Sequence, residues 1–158
     1  MIAHERTIMS SQSGFAAIRF CLNRELMIWF CCSACRWESS RPCTLFERQA
    51  AATPDAVALV FEGAEMTYAE LDARTMAVAV RLQVAGVVPD TLVGLMLPRC
   101  FDLVIGVLGI MRSGGVYVPI DPEFPAERIG YVVADAGISI MVTHTRFVRS
   151  DVQTSLCL

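Results

Sequence analysis

The chain has 158 residues, 54% of them hydrophobic and 18% charged, a one-domain length with enough apolar material for a buried core and too apolar for a disordered chain. A net charge of -3 and a pI near 5.3 offer no cationic cluster to neutralise phosphates, which argues against a nucleic-acid partner. All thirteen basic residues are Arg, so a P-loop Lys on a nucleotide phosphate and a Lys Schiff base are both excluded.

The two histidines, His4 and His144, stand near opposite termini. A lone terminal imidazole is usually a solvated side chain, and no Ser/His/Asp or Cys/His apparatus is expected. Five of the seven cysteines fall at Cys21, Cys31, Cys32, Cys35 and Cys43, leaving Cys100 and Cys157 downstream. Cys32 and Cys35 form one C-x-x-C, but a structural zinc site needs four ligands and no second pair follows. An odd count without a clean signal peptide argues for reduced thiols, and a cytoplasmic location is expected.

Charge also divides the chain: residues 1–44 carry five Arg and three Glu, the remainder eight Arg and thirteen acids. Residues 1–44 read as an irregular, Cys-rich leader. Its most apolar stretch, Phe15 to Cys32, is interrupted by Arg19, Asn23, Arg24 and Glu25. A membrane-spanning helix needs about 20 mostly apolar residues, and each mid-bilayer charge costs roughly 2.5–3.5 kcal/mol on insertion scales, so no membrane partner is expected. The broken apolar run does not suit a secretory peptide, nor do Glu5 and Glu25 suit a mitochondrial presequence.

From Leu45 the pattern is orderly. Leu45 to Ala52 reads as a short helix closed by Thr53-Pro54-Asp55, because Pro disfavours helical geometry in the residue before it. Ala56 to Glu62 is a β-rich apolar run that turns at Gly63. Thr67 and Glu70 then form a T-x-x-E capping box, with Met66 and Leu71 placed as a hydrophobic staple. Leu71, Thr75, Val78, Leu82 and Ala85 recur at helical spacing as a buried stripe, with Asp72, Arg74 and Arg81 away from its centre. Gly86 sits where it would stop that helix.

Thr91 to Leu97 reads as a strand covered on both faces and is stopped by Pro98. Phe101 to Arg112 is apolar nearly all round and predicts a buried helix, with Gly106 and Gly109 on one side for close backbone approach. Ser113-Gly114-Gly115 supplies a turn, Val116 to Ile120 a short buried strand, and Asp121-Pro122 a break. Pro125 suits a first helical turn. Ile129, Val132, Val133 and Ala136 form the inner face of a helix ended by Gly137, and Ile138 to Thr143 is a last strand. Helices joining strands in this order predict an α/β fold with a mainly parallel sheet and flanking helices.

These residues carry a resemblance. Leu45-Phe46-Glu47-Arg48-Gln49-Ala50, Thr53 to Ala58 and Met66-Thr67-Tyr68-Ala69-Glu70-Leu71 resemble the opening of nonribosomal peptide synthetase adenylation domains, whose first core motif reads approximately L-T-Y-x-E-L. Gly109 to Pro122 (GIMRSGGVYVPIDP) resembles their second, approximately L-K-A-G-x-A-Y-V-P-I-D. The similarity spans residues 45–143, with the order and spacing of the motifs as its substance. It departs at Arg112-Ser113, where Lys-Ala is usual, at Asp72, where Asn is common, and at Thr75-Met76-Ala77. These are expected to be surface or packing substitutions.

The resemblance implies the partial N-terminal subdomain of an adenylate-forming enzyme. An intact domain of that family joins an amino acid to ATP with Mg2+ to give an aminoacyl adenylate, then loads a phosphopantetheine thiol. It uses a loop like T-S-G-T-T-G-x-P-K-G and a Lys in a mobile C-terminal subdomain, and neither has a counterpart here. Residues 144–158 read as a truncated tail. No catalytic, cofactor-binding or metal-ligating residue is assigned: Gly114-Gly115 lacks phosphate-loop spacing, and Tyr117, Pro119 and Asp121 read as sheet-edge packing and turn formation. The expectation is an inactive fragment that binds no cofactor itself, with ATP and Mg2+ implied for the intact domain. Its implied partners are the remainder of that domain and neighbouring carrier and condensation domains. Alternatives are a noncatalytic interaction module on the same half-domain, or a fragment of an acyl-CoA synthetase.

Overall fold

The computed structural model describes residues 42–150 and 152–158, so residues 1–41 of the leader, with its C-x-x-C, lie outside the described residues, while its last three, Pro42 to Thr44, begin a helix. Four α-helices and six strands follow one another: α1 (Pro42–Ala52), β1 (Val57–Phe61), β2 (Ala64–Thr67), α2 (Tyr68–Val84), β3 (Leu92–Met96), α3 (Phe101–Ser113), β4 (Val116–Pro119), α4 (Ala126–Asp135), β5 (Ile140–Thr143) and β6 (Thr154–Cys157), with a 3-10 turn at Thr145–Phe147. The α/β expectation holds. Strands β4, β3, β5 and β6 lie side by side in that order, every pair parallel.

Side chains alternate across this sheet, as a strand's period of two requires. Val93, Leu95, Ile140 and Val142 join one buried cluster with α2 and α3. Met96 and Met141 join a second with Ile129 and Val133 of α4. The sheet is therefore covered on both faces, and that is why β3 and β5 read as near-continuous apolar runs.

α3 is wedged between the sheet and α2, and its two interior glycines are what let it in. A Cβ on Gly106 would stand 2.7 Å from Leu95 Cδ1, and one on Gly109 only 2.5 Å from Val78 Cγ1 and 2.8 Å from Val78 Cβ. Gly106 thus faces the sheet and Gly109 faces α2. The predicted α2 stripe is buried at Leu71, Thr75, Val78 and Leu82, with Ala85 partly buried beside it.

The helix ends follow local chemistry. Glu70 N–H donates to Thr67 Oγ1 at 3.3 Å and Thr67 N–H to Glu70 Oε2 at 3.0 Å, closing the capping box that starts α2. Helices α2, α3 and α4 all stop in one way. Gly86, Gly114 and Gly137 take positive φ, and their N–H groups donate to Gln83, Met111 and Ala134 carbonyls. The next N–H in each case, from Val87, Gly115 and Ile138, reaches back to Leu82, Ile110 and Val133, completing a Schellman motif.

Three features differ from expectation. β1 does not join the parallel sheet; it pairs antiparallel with β2, a strand absent from the sequence reading. Glu62 and Gly63, both at positive φ, close a two-residue turn between the paired residues Phe61 and Ala64, and such a local hairpin forms more readily than a distant crossover pairing. The hairpin is tied to the main body by an edge-on contact of Phe61 with Phe101, ring centroids 6.1 Å apart. β4 is half-exposed rather than buried, since among the described residues it is a sheet edge; Pro119, lacking an N–H, suits that place. The stretch after Thr143, expected to carry no element, adds β6, with Thr143 paired to Cys157.

Gly109→Ala is expected to lower stability by about 1–2 kcal/mol. Overpacking against the stiff, β-branched Val78 outweighs the gain in helix propensity. Gly106→Ala meets chiefly the flexible ends of Leu95 and Leu97, at 2.7 and 3.3 Å, and should cost less, so the urea midpoints of the two variants give the order. Burial also pushes the Tyr68 phenol above its ordinary value of 10. The fold favours the neutral form, so this contribution is intact below pH 10 and is lost as pH rises above it. In urea melts at increasing alkaline pH, Tyr68→Phe should remove that part of the decline.

Candidate functional site

In an open parallel sheet the helices switch faces where strand order reverses, and the crevice at the carboxyl ends of the strands there is the usual place for chemistry. Here α3 leads from β3 to β4 on one face, and α4 leads from β4 past β3 to β5 on the other. The crevice lies outside the carboxyl ends of β3 and β5. Thr143 Oγ1 donates to Met96 O at 2.9 Å, fixing these two strand ends against each other just where each chain leaves the sheet.

Three chemically capable side chains meet there. His144 follows β5 directly and its Nε2 lies 3.0 Å from Asp102 Oδ2, in the first turn of α3. Cys100 precedes α3, and its thiol donates to Pro98 O at 3.4 Å. His144 is 23% exposed in its side chain and Asp102 33%. The sequence reading took His144 for a solvated terminal residue; the parallel pairing of β3 with β5 instead brings it to a partner 42 positions away. Among the described residues Cys100 and Cys157 form no disulfide.

The residues weighed from sequence fall nearby but do other work. Asp121 Oδ1 accepts from Glu123 N–H at 2.9 Å, and Asp121 O accepts from Phe124 N–H at 3.1 Å, so Asp121 forms the turn into α4. Tyr117 packs against the α3-side core, opposite Val93 in the pairing of β4 with β3, while Pro119 stands opposite Leu95. Along the crevice wall, Arg128 lies over the Phe124 ring at 4.5 Å and Arg146 over Phe147 at 4.6 Å.

Gly114-Gly115 is not a phosphate cradle. Both amides are already donated to α3 carbonyls, and a Cβ at Gly115 would meet Ile110 Cγ2, Thr91 O and Val87 Cγ1 at 3.2 Å. The turn is filled by the chain's own atoms, at the amino end of the sheet and away from the crevice.

A second polar cluster sits between α1, α2 and α3. Arg112, its side chain only 6% exposed, lies 3.2 Å from Glu47 and 2.8 Å from Asp72. It also donates to Thr75 Oγ1 at 2.9 Å and to Asp72 O at 3.2 Å. Asp72, Thr75 and Arg112 are three of the positions where the motifs departed from the resembled family, and they form one hydrogen-bonded group. They are thus a linked packing device between two helices. An open groove of about 540 Å3 borders the cluster, but the guanidinium at its base already has its carboxylates, so it is not a ready anion site.

An open parallel sheet with helices on both faces and a polar crevice at its carboxyl edge defines a doubly wound α/β unit. The chain belongs to the AMP-binding enzyme family, whose model matches residues 46–157. It is 52% identical over 98 residues to a linear gramicidin synthase from Brevibacillus parabrevis, an alignment covering 62% of this chain and 2% of that protein. It is 50% identical over 99 residues to polyketide synthase PksN of Bacillus subtilis (strain 168), covering 63% and 2%. Among solved structures, the nonribosomal peptide synthetase FmoA3 matches with a TM-score of 0.67 and 31% identity, over 72% of this chain and 13% of that one. The NpsA N-terminal subdomain of Klebsiella oxytoca matches at 0.66 and 28%, over 74% and 30%. The chain thus spans a small part of each of these relatives.

Replacing Arg112 with Met leaves Asp72 and Thr75 without their shared donor, and should cost about 1–3 kcal/mol, the scale of hydrogen bonds to a charged group. The loss should change little between low and high salt because the guanidinium is buried, which parallel urea melts would read.

Proposed function

We propose that residues 45–157 form the opening scaffold of a peptide-synthetase adenylation domain, one that activates an amino acid with ATP and passes it to a carrier-protein thiol. The observation that carries this reading is the coincidence of the two motif regions with the fold's own joints: the first starts α2 through the capping box, and the second supplies the end of α3, the Gly114-Gly115 turn and β4. The relatives support the peptide-synthetase branch over acyl-CoA synthetases, since gramicidin synthases and a nonribosomal peptide synthetase recur among them.

In this reading the polypeptide by itself holds no ATP or Mg2+ and catalyses no adenylation. Support comes from the absence of Lys and from the occupied amides of Gly114 and Gly115. Its natural contacts are the rest of an adenylation domain and, beyond it, carrier and condensation domains. A solved relative joins an adenylation domain to a PCP domain in one artificially fused chain. Among the described residues no helix is long and apolar enough to cross a membrane. A cytoplasmic location belongs to the same proposal and rests on the kinship with peptide synthetases.

Two measurements test this. Amino-acid-dependent ATP–pyrophosphate exchange with the isolated polypeptide should stay at background, and a robust signal would overturn the assignment of inactivity. Grafting residues 46–157 in place of the matching segment of the Brevibacillus parabrevis linear gramicidin synthase should leave exchange within about tenfold of the parent, or ~1.4 kcal/mol of barrier. A soluble, folded graft without exchange would overturn the scaffold role.

A further inference from the structure

We propose that Cys100, Asp102 and His144 form a zinc-type divalent-cation site at the carboxyl end of the sheet. Their candidate ligand atoms, a thiol sulfur, a carboxylate oxygen and an imidazole nitrogen, all lie within 4.8 Å of one another. In tetrahedral zinc coordination, bonds of about 2.0–2.3 Å set ligand atoms roughly 3.3–3.8 Å apart. The Asp102–His144 separation of 3.0 Å is already near that edge, and the thiol needs a movement of about 1 Å or a side-chain rotation to complete it.

The framework beneath the three ligands is fixed. Cys100 and Asp102 are set by the start of α3, His144 by the end of β5, and the two strand ends are clamped by the Thr143–Met96 hydrogen bond. Only side chains have to adjust.

Charge and softness favour the same ion. The amino end of a helix repels cations, so a dipositive ion beside α3 needs anionic ligands, and the Asp102 carboxylate with the Cys100 thiolate supplies two. Sulfur with imidazole suits zinc and discriminates against magnesium and calcium, which take oxygen. Binding replaces the S–H bond of Cys100 with a sulfur–metal bond and releases that proton to solvent. His144 Nε2 coordinates as the neutral ring, its proton carried on Nδ1. All three residues are partly exposed, so a fourth position stays open to water, the arrangement of zinc sites that do more than hold a fold together.

The sequence contains a competing thiol group at Cys31, Cys32 and Cys35, so the test is made in the full-length chain with those three changed to Ser. Equilibrium dialysis with zinc alone should give one ion per chain, and Cys100→Ser or His144→Ala should each weaken binding by at least about tenfold. Cobalt added in place of zinc should give a sulfur-to-metal charge-transfer band that Cys100→Ser abolishes and Cys157→Ser leaves intact. A measurement needing no change at the site guards against misfolded variants: zinc should slow alkylation of Cys100, mapped by peptide mass spectrometry, without slowing that of Cys157. Absence of zinc binding in the triple-Ser chain, binding indifferent to both Cys100→Ser and His144→Ala, or equal protection of the two thiols would each overturn the proposal.

Discussion

The close approach of α3 to both of its neighbours is the constraint on which the rest of the structure depends. A helix apolar nearly all round can be buried only if its backbone comes near enough to fill the space, and Gly106 and Gly109 remove the side chains that would hold it off. At the far end of the same helix Arg112 ties it to α1 and α2 through Glu47, Asp72 and Thr75. Burying a guanidinium is costly unless its donors are matched, and here carboxylates from two helices and a hydroxyl match them. Apolar contact sets the distance between the helices, and the polar group sets their rotation about each other.

That wedge in turn presents the start of α3 to the end of β5. The site is assembled from an end-of-strand histidine and a start-of-helix Cys-x-Asp, neither of which has meaning without the sheet between them. The motifs that identify the family do structural work elsewhere, beginning α2 and turning the chain from α3 into β4. Family membership and local chemistry therefore rest on different residues, and membership alone does not assign the crevice a role.

Much of the fold was legible because its signals are local. The capping box needs only Thr67 and Glu70, and the helix stops need only a glycine after an apolar stripe. The second strand of the hairpin was missed because Ala64–Thr67 is short and runs directly into the capping box, so its residues read as the approach to a helix. A Glu at the first turn position also gives a weaker hairpin signal than Asn or Asp before Gly. β6 was missed because Thr154–Cys157 is mixed in polarity and acquires strand character only from pairing with β5. The Asp102–His144 contact and the Arg112 cluster were illegible for one reason: their partners stand 37 to 65 positions apart, and nothing in either neighbourhood names the other. A Cys-x-Asp after a strand-stopping Pro, matched with a His just past another strand, is the signal that could have found the first.

The three Schellman stops give the molecule two unlike poles. At one, α3 and α4 hand the chain into β4 and β5 through short turns in which the amides of Gly114, Gly115, Gly137 and Ile138 are already engaged by the preceding helix, and a methyl group at Gly115 would have to displace its neighbours. At the other, the connections carry the histidine, the thiol, the acids and the stacked arginines. Sequence drift should consequently be one-sided across descendants of this fold, with insertions and new side chains accumulating at the carboxyl pole while the amino pole stays nearly invariant in length.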